Sequence, residues 1–182
     1  ENLEESNRSV VPLYEAKMIQ AFDHRAASII VNPNNSKRVA QPESTLPEQY
    51  KNPDYQVKPQ FWIEKAEIEK CLDVKINWFL GFKSVTSPTN NRTFIASFLP
   101  LCAVGNSLPL IFVDPKYMKK LPLLAANLNS LVFDFIAKQK VGGVNLNFFV
   151  IKQLPVIPPE NYTEKDIDYI SSRVLELVYT AW

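Results

Sequence analysis

Apolar residues first gather at Val10-Val11-Pro12-Leu13-Tyr14, opening an ordered segment that runs to about Arg25, behind a polar stretch, 1–10, expected to fray. Between 32 and 60 the pattern dissolves into Asn, Ser, Gln and Glu punctuated by Pro33, Pro42, Pro47, Pro53 and Pro59. Proline removes a backbone donor and biases its predecessor away from helix, so the stretch predicts a long irregular connection. A short helix is expected from about Glu64 to Leu72, where good helix formers run without Pro or Gly.

The middle of the chain changes period. Aromatic and β-branched runs at 76–83, 92–99 and 108–113 predict strands, separated by Ser87-Pro88-Thr89-Asn90-Asn91 and Gly105-Asn106-Ser107, which are turn formers. Leu121, Leu124, Leu128, Leu131, Phe135 and Ile136 then fall at helical spacing, predicting one long helix over about 119–141 that ends at Gly142-Gly143. Val144 to Ile151 alternates as a strand does. Thr163 with Asp166 forms a capping-box signature ahead of Ile167, Ile170, Val174 and Val178, so an amphipathic helix is expected there. The fold class expected is α+β: a mixed or antiparallel sheet of the central strands packed against a long helix and a C-terminal amphipathic helix.

Composition narrows the functional classes. With 46% hydrophobic and 21% charged residues, the chain can bury a core and is not expected to be disordered. No apolar run approaches the roughly 18–20 residues of a membrane helix. Glu1-Asn2-Leu3-Glu4-Glu5 is neither a basic leader nor an apolar stretch, and reads as the opening of an excised fragment. Cys71 and Cys102 cannot make a disulfide framework, and His24 alone beside them cannot complete an ordinary zinc site; a reduced, cytoplasmic setting is expected. The net charge of +1 is unevenly spread. Over 81–152 the cations Lys83, Arg92, Lys116, Lys119, Lys120, Lys138, Lys140 and Lys152 meet only Asp114 and Asp134, whereas both flanking segments are net acidic. That asymmetry suits a polyanionic partner.

Several constellations could carry chemistry. The four glycines make no phosphate-binding fingerprint. Asn52-Pro53-Asp54-Tyr55 approaches the Asn-Pro-Pro-aromatic tetrapeptide of an amino-methyltransferase, but Asp54 breaks it. Asp54 with Asp73-Val74-Lys75 matches, loosely, a magnesium nuclease in which two carboxylates hold the metal and a lysine assists water. Asp23-His24-Arg25 holds the one imidazole, without a nucleophile motif near it, and reads as structural. The richest stretch runs from Lys83 through Ser87, Asn90 and Asn91 to Arg92-Thr93, dense in short donors and amides that can meet phosphates and base edges. A second candidate surface joins Lys138-Gln139-Lys140 with Asn145 and Asn147.

Blocks in register add to this reading. Val11-Pro12-Leu13-Tyr14-Glu15-Ala16-Lys17-Met18-Ile19, followed by Phe22-Asp23-His24-Arg25, resembles the phrase after the catalytic domain of large adenine-specific DNA methyltransferases, including type IIG restriction–modification enzymes and related phage-defence methylases. Trp78 to Ser97, and then Leu128-Asn129-Ser130, Asp134-Phe135, Lys138 to Gly143 and Lys152-Gln153-Leu154-Pro155, resemble that family's later blocks. Ala16 stands where the family carries glycine, and Lys83 where arginine is frequent, which removes a bidentate fork from that position. The resemblance implies a target recognition domain over 11–182 that reads double-stranded DNA. The S-adenosylmethionine chemistry would reside on an upstream methyltransferase domain, and no catalytic residue or cofactor is expected in this segment. Arg92 is the first expected DNA contact, with Asn90, Asn91, Thr93, Lys83 and Ser87 beside it. Lys138 and Lys140 are expected as backbone clamps, with Asn145 close to them. The competing readings are a magnesium nuclease on Asp54, Asp73 and Lys75, and a protein-docking module.

Overall fold

A computed structural model describes residues 9–35, 37, 39–72 and 77–181. Among them the chain is α+β, with three small sheets and six α-helices. β1 (Val10–Tyr14) lies between β4 (Trp62–Glu64), antiparallel, and β7 (Ala103–Val104), parallel. β2 (Ala27–Val31) and β3 (Ala40–Ser44) form an antiparallel pair from Ala27↔Ser44 to Val31↔Ala40. β5 (Trp78–Phe82) is the centre of the third sheet, flanked by β6 (Ala96–Pro100) and β8 (Leu110–Ile111), both antiparallel to it.

β5 divides two cores. Leu80 and Phe82 join Phe94, Ala96, Leu128 and Phe133 on one face. Phe79 joins Tyr14, Met18, Ile29, Leu99 and Leu108 on the other. A strand buried on both faces reads as a continuous apolar run, which is why its sequence lacks clean alternation. Gly81 is needed for close approach: a Cβ there would lie 3.1 Å from Leu99 Cδ1 and 3.3 Å from the Pro109 carbonyl oxygen. Phe94 sits between Phe82 and Phe133, stacked on the first at 5.4 Å and edge-on to the second at 4.9 Å.

Structure also forms within the proline-rich stretch. Pro42 stands in β3, whose outer edge is unpaired, so its missing N–H costs no ladder bond there. Pro47 opens α1 (Pro47–Tyr50), where the first N–H has no helical partner in any case. α2 (Lys65–Cys71) follows β4 directly, close to the expected bounds.

The run expected as one helix is two: α3 (Leu121–Leu128) and α4 (Leu131–Lys140), with a bend of 65° measured from the 3₁₀ turn leading into α3. Asn129 causes the break. Its side chain accepts from the Ala96 N–H at 3.0 Å and donates to the Ala96 carbonyl at 2.9 Å, acting as an extra rung on β6. Ser130 then caps α4, its hydroxyl accepting from the Phe133 N–H at 3.1 Å. The strand expected over 144–151 is also replaced. Residues 144–146 pair only with 84–86, and α5 (Phe148–Ile151) begins at Asn147, whose carbonyl accepts from Val150 and Ile151. α6 (Glu164–Val178) starts with the expected Thr163/Asp166 capping box and packs on α3. No single helix is long and apolar enough to cross a membrane; α3 and α4, apolar together, bury Leu123, Ala125, Leu128, Phe133 and Ala137 inside the protein.

Candidate nucleic-acid interface

The loop between β5 and β6 is built on a buried polar base. Asp134, on the first turn of α4 and 4% exposed, accepts from the Thr93 and Phe94 N–H groups, each at 2.7 Å, through Oδ1. Thr86 donates its hydroxyl to the Thr93 carbonyl at 2.6 Å, and Thr93 donates its own to the Ser87 carbonyl at 3.2 Å. Arg92 Nη2 donates to the Asn129 carbonyl, and Arg92 Nε lies 3.7 Å from Asp134 Oδ2. Two of the expected DNA contacts, Arg92 and Thr93, are thus turned toward the interior. Thr93 is sealed, whereas the Arg92 side chain retains 28% exposure.

What remains outside is the tip of the loop. Ser87 Oγ meets Thr89 Oγ1 at 2.8 Å and accepts from the Thr89 N–H, and the Asn90 N–H donates to the Ser87 carbonyl, so the turn is closed by its own short side chains. Asn90 and Asn91 are exposed. Lys138, in the last turn of α4, donates from Nζ to the Asn91 carbonyl at 3.0 Å, which joins the two surfaces that the sequence offered separately. Lys83 lies at the inner end of the loop, its N–H bonded to the Ile95 carbonyl; burial of the ammonium lowers its pKa below the usual lysine value.

Beside the tip, 84–86 and 144–146 run as a two-residue ladder, through Thr86 N–H to the Val144 carbonyl at 2.9 Å and Leu146 N–H to the Ser84 carbonyl at 2.7 Å. Lys140, Gly143, Asn145 and Asn147 line a shallow groove there with Phe149. A second groove runs from Ser84 and Asn106 past Asn145 to Phe148. Phe148 and Phe149, 67% and 64% exposed, set two large rings at the surface next to a lysine and amides. The strand reading of 144–151 hid them, because alternation would have buried one of the pair. The available signal was Asn147, a residue favoured at helix starts, directly before Phe-Phe.

Asp54 is exposed in a turn, its N–H bonded to Asn52 Oδ1, while Asp73 and Lys75 lie outside the described residues. Among the described residues no group of three acidic, histidine or cysteine side chains could hold a metal. Side chains added at Gly142 or Gly143 would meet nothing within 4 Å, so no close protein neighbour requires glycine at either position.

His24 stands apart from this surface. Burial pushes its pKa below the usual value, with the Arg25 guanidinium adding to the effect and Asp23 opposing it. The unfolded chain therefore takes up the proton more readily than the folded one, and stability should rise with pH through the window below about 6.5. Urea titrations between about pH 5 and 7.5 should show the native state losing stability toward the acid end, and His24→Gln should flatten that dependence. Comparison of the chain with family models, with curated proteins and with solved structures finds no match.

Proposed function

We propose that this chain is a sequence-specific reader of double-stranded DNA, acting as the target recognition domain of an adenine-specific DNA methyltransferase of the restriction–modification or phage-defence kind. It positions the target for a catalytic domain elsewhere in the parent protein, which would also hold the methyl donor. The observation that carries this reading is the exposed Ser87–Asn91 tip, held by Lys138 and standing on the fixed base of Asp134, Asn129 and Thr86. Amide side chains on a rigid turn suit base edges, and lysines beside them suit phosphates. Lys138 and Lys140 act as backbone clamps, with Asn145 and the exposed Phe148 and Phe149 meeting sugar or thymine methyl groups. Arg92 supports the tip from below, and its side chain, buried only in part, lies close enough to the surface to meet a phosphate.

Selection from a random pool of labelled duplexes tests this directly. The protein is expected to enrich one short motif, and the affinity for that motif is expected to fall steeply with salt. Binding without enrichment would remove the specificity claim, and absence of binding at low salt would remove the DNA claim. Asn90→Ala should relax the preference at one base position, costing about 1–3 kcal/mol of discrimination there.

A further inference from the structure

Two shallow grooves share Asn145 and Asn147, and they differ in character. Lys140 borders one, whereas no Asp, Glu, Lys, Arg or His lines the other, a groove of about 260 Å³ that includes Phe148. Ser84 laces together the three stretches of chain that line this neutral groove. Its N–H donates to the Ser107 carbonyl at 3.0 Å, its carbonyl accepts from the Leu146 N–H at 2.7 Å, and its hydroxyl donates to the Asn106 carbonyl at 3.5 Å. The backbone around the groove is thus held by its own hydrogen bonds.

The asparagine side chains are not spent in that way. Asn106, Asn145 and Asn147 are exposed on the groove, and among the described residues none of their amides has a partner. Asn147 stands at the N-cap of α5, where an asparagine ordinarily accepts from the first helical N–H groups, yet its side chain makes no such bond. Free amides offer both donors and acceptors, and the exposed Phe148 ring adds a flat apolar surface. Uncharged donors and acceptors beside a ring suit a neutral heterocycle: asparagine pairs with the edge of a base, and aromatic rings stack on its face. A phosphate finds no cation in this groove, but it finds Lys140 in the neighbouring one. A base paired within a duplex keeps its faces on its neighbours, so only an unpaired base can stack on Phe148.

We propose that the neutral groove takes one unpaired nucleobase, stacked on Phe148 and hydrogen-bonded by Asn106, Asn145 and Asn147, while the adjoining phosphate meets Lys140. This site rests on the reading of the chain as a DNA-binding domain and adds one preference to it, for a duplex carrying an extrahelical base. Anisotropy titration of the intact chain at low salt compares three labelled duplexes: fully paired, with one extrahelical deoxyadenosine, and with one extrahelical abasic residue. The deoxyadenosine duplex is expected to bind at least about fivefold more tightly than the other two, the factor that one stacked base contributes. Phe148→Leu should bring the ratio of bulged to paired affinity close to one, and Phe148→Trp should keep it. Asn106→Ala should lower the ratio with binding of the paired duplex unchanged. Both positions are exposed, so the variants should stay folded, which melting curves check. Equal affinity for paired and bulged duplexes overturns the site and leaves the DNA reading standing, whereas no binding to any of the three overturns both. A preference that the abasic duplex shares belongs to DNA flexibility, and one that excess glucose abolishes belongs to a sugar site; either overturns the proposal.

Discussion

Asp134→Ala is expected to lower folding stability by about 3–5 kcal/mol, the range for removing one partner of a buried charged network. The carboxylate accepts two backbone N–H groups at 2.7 Å from the start of β6's approach, and Arg92 stands 3.7 Å from its other oxygen. Alanine leaves both donors buried without partners, at about 1–3 kcal/mol each, and strips Arg92 of its nearby anion. Position amplifies the loss, since the ring of Phe94, one of the two bonded residues, meets at 4.9 Å the ring of Phe133, which precedes Asp134. Urea denaturation should show a lower midpoint with an unchanged slope. A loss below about 1 kcal/mol would mean that the loop keeps its shape without the carboxylate.

Replacing Lys138 and Lys140 together with alanine is expected to reduce the salt slope of duplex binding by about 2, one for each phosphate contact removed. Lys140 is exposed and bordered by Asn145 and Phe149 in the groove, and Lys138 both offers charge and holds the Asn91 carbonyl. Both lie in the last turn of α4, where their stabilising effect on the helix is only about 0.3–1 kcal/mol, so the double variant should remain folded. Anisotropy titrations over a range of salt, with melting curves alongside, separate the two effects. An unchanged slope in a folded variant removes these lysines from the interface. Arg92→Ala is a poorer probe of contact, because loss of the Asn129 and Asp134 interactions lowers stability along with any phosphate contact.

Both of these experiments concern residues whose roles differ in how far they can be read from the chain. Thr163 and Asp166 announce α6 because a capping box is a contact between residues three apart. The strands at 78–82 and 96–100 are legible for a similar reason, since aromatic and β-branched runs bounded by turn formers favour strand locally. The break between α3 and α4 is not, because helical spacing persists through Asn129 and the competing partner, Ala96, is brought in from a strand more than thirty residues earlier. Likewise Pro42 and Pro47 suggest an unstructured stretch, yet each occupies a place where a missing N–H is harmless.

The amino-acid sequence alone determined α2, β5, β6 and α6, where cations outnumber acids, and that a polar turn joins β5 to β6. It could not decide which members of that turn face water. Asn90, Asn91, Arg92 and Thr93 are consecutive and all polar, but the first two are exposed while Thr93 is sealed and Arg92 is anchored below. The choice belongs to Asp134 and Asn129, some forty residues away, since a buried carboxylate must find donors and takes the nearest backbone N–H groups that the packed core presents. Tertiary packing likewise set the Arg25 guanidinium among the Gln49 and Asn52 carbonyls and the Tyr55 ring, a circumstance no spacing of residues could reveal.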